Sequence, residues 1–392
     1  MILIIASLLL SSGLILIGKN YTKIAFIVSV IFLSLVGLLF DPYLAQSHGV
    51  YTDLVRFFNE LQLIRNYNLS DAITSSVDPF KSLYPGMVVN NVIMFLVAKT
   101  SNLHLLPFLS VLTFYSVLYI QLYSECKKNG LNKYKILLIL LLIYALINIT
   151  DPMCNIRNPL TSLIGVIVLY NNLVNNTSIV LTALGYILIF FIHPSSIIFP
   201  IVNVIVKMSN KWTKYLFTAI VFIFSVFSYQ ISSSLIGVIP GGSILSNVVT
   251  KLNSYSGGQA DLVSYGTPFQ KFLLWITALG AVFVLYLFNK ETKNKFNKFG
   301  NACTFFITIF IATSVFSVHM FFRFGFILGI FILIMLPIAL RNNIIESSSI
   351  DGNSTKIPVS YFNLYLLLGV IIILNFCWYF GTYAYRSINL GG

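Results

Sequence analysis

Long apolar runs separated by short polar breaks organise this chain. A helix needs about 20 apolar residues to cross a bilayer, and the runs fall near that length. Counting them gives about 12 candidate spans, with a range of roughly 10–13. The pattern therefore predicts an all-α, polytopic integral membrane protein. The predicted spans are Ile2–Gly18, Ile24–Phe40, Pro85–Ala98, Leu103–Tyr123, Ile136–Ile149, Pro159–Val174, Ile179–Val206, Tyr215–Ile236, Phe272–Phe288, Cys303–Val318, Phe324–Leu340 and Pro358–Phe380.

Two longer polar segments interrupt the apolar runs, at residues 41–83 and 237–270. Neither carries the lysine bias of cytoplasmic loops, so we expect both on the extracytoplasmic side. Within the first segment, the apolar spacing of Val50–Tyr67 favours a short helix lying at the membrane surface. Neither segment is long enough to form a domain, and residues 1–392 are predicted to be one membrane domain.

Composition supports the membrane interpretation. Of the 392 residues 57% are hydrophobic and only 9% are charged, whereas a soluble domain carries about 25% charged residues. The net charge of +13 comes from 24 Lys and Arg against 11 Asp and Glu. The lysines cluster in short loops such as Lys127–Lys135 and Lys290–Lys298. This clustering is typical of the positive-inside rule and does not indicate a nucleic-acid partner.

Orientation leaves a conflict that the sequence does not resolve. If Lys19–Lys23 lies inside, a simple alternation of 12 spans puts the basic loop Lys127–Lys135 outside. A partial or re-entrant segment within Pro85–Tyr123 would correct this. A second break at His193–Ser196 would then be needed to restore the direction of the later spans, and Pro194 permits such a break.

Several kinds of chemistry lack a signature. The four cysteines are scattered, without a CxxC pair or ligand spacing for a metal. There is no phosphate-binding P-loop, dinucleotide fingerprint or serine nucleophile elbow. We therefore expect neither a metal nor a cofactor.

Ionisable residues inside apolar runs are candidates for function because burying them in a membrane is costly. Arg157 follows a polar break and precedes an apolar run, where its guanidinium can bind phosphate or carboxylate. The alternatives are that Arg157 snorkels to the membrane interface or that it pairs with Asp151. His193 ends an apolar run beside Ser195 and can serve as a base or hydrogen-bond a phosphate; a structural helix-packing role is the alternative.

Two further pairs stand at helical spacing. His319 and Arg323 are four residues apart, which places both on one helix face and suggests an anion site. Asp53 and Arg56 are three residues apart in the first polar segment, close to Tyr51. For His319 and Arg323 the alternative is a pair at the membrane interface. For Asp53 and Arg56 the alternative is a weak local ion pair.

In order and spacing, four segments resemble EpsG-like, Wzy-type polysaccharide polymerases. They are Gly49-Val-Tyr-Thr-Asp-Leu-Val-Arg-Phe-Phe, Tyr84-Pro-Gly, Asn155-Ile-Arg and Phe191-Ile-His-Pro-Ser-Ser. The resemblance covers roughly residues 41–200, and the later half is similar only in hydropathy. The chain departs from the family pattern in Asn158-Pro-Leu-Thr, where Gln and small residues are common, and in Pro194.

The resemblance implies a membrane glycosyltransferase of the bacterial cytoplasmic membrane with an extracytoplasmic active site. Its donor and acceptor would be oligosaccharides linked to undecaprenyl diphosphate, and a chain-length regulator is a conceivable partner. His193, Asp53 and Arg157 would be catalytic. Arg157, Arg323, His319, Arg56, Tyr51 and Ser195 would bind diphosphate or glycan. Another membrane transferase, either a ligase or an O-acetyltransferase, and a glycolipid flippase are the alternatives.

Overall fold

A computed structural model describes residues 2–43, 53–78, 80, 86–208, 267–341 and 359–389, with isolated positions at 216, 219–220, 223 and 234. This part of the chain is helical and contains no strand. Two 3₁₀ turns lie at Lys19–Tyr21 and Pro194–Ile197. The α-helices are α1 Ile2–Ile17, α2 Thr22–Leu39, α3 Asp53–Ile64, α4 Leu69–Thr74, α5 Val88–Lys99, α6 Leu105–Lys128, α7 Lys133–Leu146, α8 Thr150–Cys154, α9 Arg157–Leu173, α10 Ile179–Ile192, α11 Ile198–Lys207, α12 Pro268–Glu291, α13 Asn297–Phe316, α14 Val318–Ala339 and α15 Val359–Asn389.

The helices have the character of a membrane protein. Among the described residues, four are long and apolar enough to cross a bilayer: Lys19–Leu39, Leu105–Lys128, Pro268–Glu291 and His319–Ala339. Large apolar side chains face outward from the bundle, including Ile120, which is 70% exposed, and Ile179, which is 77% exposed. A lipid environment accounts for such surfaces. The prediction of an all-helical membrane protein is thus confirmed at this level.

Helix α14 occupies the centre of the bundle. All seven residues from Ile330 to Leu336 have no exposed surface, and a helix that is apolar and buried on every side must be surrounded by others. It packs against α6, α7, α9, α12 and α13. A chain of aromatic contacts continues this core outward from Phe331 through Phe306 to Phe199. Phe199 lies directly against Gly165 of α9, where a larger residue would collide with the ring.

Lysines gather at one end of the bundle, which we call the lysine end and define by Lys128, Lys133, Lys135, Lys207 and Lys298. There the Lys133 Nζ donates to the carbonyl of Leu16 at 3.0 Å, and the Lys135 Nζ donates to that of Leu340 at 2.8 Å. Both bonds satisfy carbonyls at helix C-termini, where cations are favoured. Lys128 binds Asn175, and Lys207 lies close enough to Lys298 to interact electrostatically. Helices α1, α6, α9, α11 and α14 therefore end here.

The opposite end, which we call the site end, carries a cap formed by α3, α4 and α5. The cap has its own apolar cluster, separate from that of the bundle, containing Phe57, Leu61, Met87 and Met94. Both ends of α5 lie at the site end, since Met87 contacts Arg157 and the residues after Lys99 lead directly into α6. The prediction that Pro85–Ala98 forms a span is therefore wrong, because the described part of this segment, residues 86–98, packs into the cap.

The chain reverses direction at His193–Ser196. Helix α10 begins near the lysine end and approaches the site end, whereas α11 returns to Lys207. The return follows α9, because Phe199 lies beside Gly165 and the Asn203 Nδ2 donates to Asn172 Oδ1 at 3.2 Å. The prediction of one span at Ile179–Val206 is therefore wrong. A segment within Pro85–Tyr123 that does not cross the membrane and a reversal at His193–Ser196 are the two features that an inside position of the loop Lys127–Lys135 requires.

Hydrogen bonds between buried side chains join the first helices of the bundle. Ser11 donates to or accepts from Ser29 at 2.8 Å, and Tyr144 donates to Ser29 at 3.2 Å. Near the lysine end, the Tyr170 hydroxyl donates to Glu125 Oε2 at 2.7 Å. Such bonds satisfy polar groups that lipid cannot.

Most of the second predicted loop, 237–270, lies outside the described residues, which resume at Thr267.

Candidate functional site

Helix α3 presents one apolar and one charged face. The residues with at most 2% exposure are Leu54, Phe57, Phe58, Leu61 and Ile64, and their spacing of three and four residues is that of a helix packed along one side. The segment for which the sequence favours a short helix thus folds as one, although Leu63 lies on the outer face, 61% exposed. The helix rests on α5 and α8 and carries its charged residues toward the site end.

Arg56 is enclosed by two carboxylates of its own helix. Its Nη2 lies 3.6 Å from Asp53 Oδ2, and its Nε lies 3.4 Å from Glu60 Oε1. The Glu60 side chain is only 6% exposed, whereas those of Asp53 and Arg56 are each 48% exposed. The exposed contact contributes under about 1 kcal/mol. The contact with Glu60 matters more, because it gives a buried carboxylate a cation.

Arg157 meets Arg56 at the ring of Phe57. The one-turn helix α8 redirects the chain after α7, so that Arg157 becomes the first residue of α9. The Arg157 guanidinium carbon lies 5.2 Å from the centroid of the Phe57 ring, and the Arg56 guanidinium carbon also lies 5.2 Å from it. Arg157 additionally donates from Nη1 to the Met87 sulfur at 3.3 Å. Cation–π contact of this kind orients a guanidinium while leaving its N–H groups in the plane to bind other ligands. We call Arg56, Phe57 and Arg157 the arginine–phenylalanine cluster.

The Asp151 carboxyl group belongs to α8, which packs against α3. Burial raises the pKa of Asp151 to about 7. Burial also raises the pKa of the neighbouring Cys154 thiol to about 12, with Asp151 and then Asp53 adding to the shift through their negative charges. Cys154 therefore lies within electrostatic reach of both carboxylates. Among the described residues Asp151 makes no ion pair, so the alternative in which Arg157 is its partner is wrong.

His193 and Ser195 form a second group. The His193 Nδ1 accepts the Ser195 backbone N–H at 3.2 Å and lies 2.7 Å from the Ser195 Oγ. Because a backbone N–H can only donate, Nδ1 is unprotonated and the ring is in the tautomer with its proton on Nε2. Helices α9 and α10 are antiparallel neighbours, so His193 at the end of α10 lies at the same end of the bundle as Arg157 at the start of α9.

His319 and Arg323 form a third group, in the first two turns of α14. Both side chains are half-buried and share one helix face. The next residue, Phe324, packs on Phe306, which also touches Phe199 at the level of Gly165. Gly165 is eight residues into α9, so Arg323 lies up to about 12 Å deeper than Arg157. Side chains on a helix lean toward its N-terminus, and that tilt directs Arg323 back toward the site end.

The structure thus places the candidate residues in three groups at one end of the bundle. Asp53, Arg56 and Arg157 come together around Phe57, whereas His193 with Ser195 and His319 with Arg323 occupy separate elements. Tyr51 lies outside the described residues. Among the residues that are described, no three His, Cys, Asp or Glu side chains form a metal-binding group.

Sequence reasoning missed three contributors to the first group. The Phe57 ring contacts the guanidinium groups of both Arg56 and Arg157, and Met87 contacts Arg157. Glu60 pairs with Arg56. Only Glu60 had a signal in the sequence, namely its position four residues after an arginine on a predicted helix. The contacts of Phe57 and Met87 with Arg157 depend on tertiary packing.

The chain matches no family model, no curated protein and no solved structure. The chemistry of the site must therefore be argued from its own residues. Two guanidinium groups held on one ring, at the point where helix α9 begins, suit a ligand with several anionic oxygens.

Proposed function

We propose that this chain is a polysaccharide polymerase of the bacterial cytoplasmic membrane, with about 12 spans and an extracytoplasmic active site at the site end. It joins oligosaccharide repeat units linked to undecaprenyl diphosphate. The growing glycan is transferred to the next repeat unit, and undecaprenyl diphosphate is released.

The observation that carries the proposal is the arginine–phenylalanine cluster. Arg56 and Arg157 are 101 positions apart in the sequence, and the segments that contain them both resemble polymerase motifs. In the fold they meet on Phe57 with equal guanidinium-to-ring distances of 5.2 Å. The site end also lies opposite the lysine end, and the side of a membrane protein opposite its lysine-rich loops is the extracytoplasmic side.

The chemistry required is stabilisation of a departing diphosphate. As the glycosyl–oxygen bond breaks, negative charge develops on the leaving group, and prearranged cations lower the barrier. Arg157 and Arg56 bind the diphosphate, while Arg323 and His319 approach it from α14. The apolar helix surfaces around the site end accommodate the polyprenyl chain.

The acceptor hydroxyl must lose a proton during transfer. His193 serves as the base, and its Nδ1 already accepts hydrogen bonds from Ser195. An acceptor hydroxyl reaching this nitrogen would replace the Ser195 hydroxyl, which then binds glycan. Asp53 is the second candidate, although its carboxylate is occupied by Arg56.

The test compares the length of surface polysaccharide in a deletion strain complemented with different alleles. We expect the deletion to produce single repeat units and wild type to restore long polymer. Arg157→Ala should fail to do so while reaching the membrane at normal levels. Arg341→Ala is the matched control, because Arg341 is exposed at the lysine end of α14 and carries the same charge.

Other outcomes separate the alternative functions. Loss of a glycan decoration with normal chain length would indicate an O-acetyltransferase, and loss of attachment would indicate a ligase. Accumulation of the lipid-linked repeat on the cytoplasmic side would indicate a flippase. Full polymer length with Arg157→Ala would contradict the assigned role of the cluster.

A further inference from the structure

A concave site lies on the cap, at the far end of α3 from the arginine–phenylalanine cluster. It is a cavity of about 260 Å³ lined by Leu61, Gln62, Arg65, Ala98, Ser101 and Leu103. Leu61, Ala98 and Leu103 supply apolar surface, and Arg65, Gln62 and Ser101 supply donors and acceptors. Its size suits a single sugar residue, and its mixture of apolar and hydrogen-bonding groups is that of a small-molecule site.

Two cations at this cavity, Arg65 and Lys99, have no carboxylate partner among the described residues. The Arg65 Nη2 donates to the Ser101 hydroxyl, and the Lys99 Nζ donates to the Arg65 carbonyl at 2.9 Å. Within the described part of the chain, neither Arg65 nor Lys99 forms an ion pair. Arg56, on the same helix, has two carboxylates within 3.6 Å. The positive charge at the cavity is therefore uncompensated, unlike that of Arg56.

The backbone at Ser101 holds this arrangement in place. Ser101 follows the C-terminus of α5 with φ of +64°, in the left-handed region where glycine is the usual residue. A serine here costs about 1 kcal/mol in backbone strain. Glycine would avoid that cost but would lack the hydroxyl that accepts from Arg65. Gln62 makes no hydrogen bond with any described residue, so its amide is available at the cavity.

We propose that this cavity binds an acidic sugar of the glycan, one that carries a carboxylate or phosphate group. Arg65 and Lys99 bind the anionic group, and Gln62 and Ser101 bind sugar hydroxyls. Arg65 comes nine residues after Arg56, which corresponds to about 13 Å along the axis of α3. A glycan whose diphosphate lies at Arg157 can therefore extend along α3 to the cavity. This proposal rests on the proposed function and adds that the repeat unit is acidic.

Binding can be measured without polymerisation. The full-length protein in nanodiscs of phosphatidylcholine is titrated calorimetrically with a hyaluronan tetrasaccharide, which carries glucuronate, and with neutral chitotetraose. We expect wild type to bind the acidic probe roughly fivefold more tightly than the neutral one. Arg65→Gln combined with Lys99→Gln should abolish this preference. Arg341→Gln, a charge change at the lysine end, should preserve it.

Equal affinities of wild type for the two probes, or a preference that persists in the double variant, would overturn the proposal. A headgroup of an anionic lipid is the competing source of the same chemistry. If wild type but not the double variant retains phosphatidylglycerol from mixed nanodiscs and shows no sugar preference, the site belongs to lipid and the glycan assignment is wrong. Arg157→Ala should lose polymerisation yet keep the acidic preference, so failure of the proposed function and failure of this site are distinguishable.

Discussion

The raised pKa of Asp151 makes a quantitative prediction about stability. In the unfolded chain this carboxyl titrates near 3.8, whereas in the folded protein burial moves its pKa to about 7. The folded state therefore retains a proton that the unfolded state releases. Below pH 3.8 both states hold the proton, and the stability of the folded state is at its highest with respect to this group. That stability is lost progressively as the pH rises from 3.8 to 7. Above pH 7 the folded protein must bury a charged carboxylate.

The shift sets the size of the effect. A difference of about three pKa units corresponds to roughly 4 kcal/mol if the group is fully desolvated. The residue as a whole is partly exposed, and relaxation and water penetration around a newly charged carboxylate reduce this to about 1–2 kcal/mol. Asp151→Asn replaces the carboxyl with a neutral group of the same shape. The variant should gain about 1–2 kcal/mol over wild type at pH 8 and almost nothing at pH 4.

The assay is thermal unfolding in a neutral detergent across pH 4 to 8. The difference in midpoint between Asp151→Asn and wild type should increase with pH. Asp78→Asn is the matched control, since Asp78 is exposed and forms no hydrogen bond within the described part of the chain. A difference for Asp151→Asn that stays constant over the whole pH range would refute the argument that burial controls this carboxyl group.

Three further substitutions test packing and charge elsewhere in the fold. Gly165→Ala drives a methyl group into the Phe199 ring and should cost about 1–3 kcal/mol in thermal stability, whereas Gly13→Ala, with no atom within 4 Å, should be neutral or slightly stabilising. Tyr170→Phe removes the 2.7 Å bond to Glu125 and should cost about 1–3 kcal/mol; an unchanged midpoint would show that Glu125 does not depend on it. Arg56→Gln deprives the buried Glu60 of its cation, so amide exchange over residues 53–64 should accelerate, whereas Arg65→Gln, which breaks no ion pair, should leave the exchange of this helix unchanged.

The membrane character of the fold could be predicted from the sequence because the thickness of the bilayer sets the length of the apolar runs. The individual spans were harder. The segment Pro85–Ala98 is as apolar as a span, yet α5 has only 12 residues and finds its apolar partner in α3. Hydropathy cannot distinguish burial against a cap from burial in lipid, because both favour the same residues.

The candidate site was partly predictable. Local spacing identified Asp53 with Arg56 and His319 with Arg323, and both pairs lie on single helices. The contact of Arg157 with Phe57 joins residues 100 positions apart, and no local pattern contains that information. Asp151 was interpreted as a partner of Arg157 because opposite charges six residues apart invite pairing. The turn through α8 separates them electrostatically, so burial and not a salt bridge determines the state of the carboxyl group.

The cap helix α5 and the reversal at His193–Ser196 have a joint consequence for how the sequence can change. Each feature switches the direction of every helix that follows it, and together they cancel. An insertion that lengthened α5 into a full crossing would invert the chain from α6 onward, and its lysine loops would be presented to the wrong face of the membrane during insertion. Tolerance to insertion should therefore be lowest in these two places, although neither belongs to the apolar core around α14. Pairs of compensating changes in them would be accepted where single ones are not.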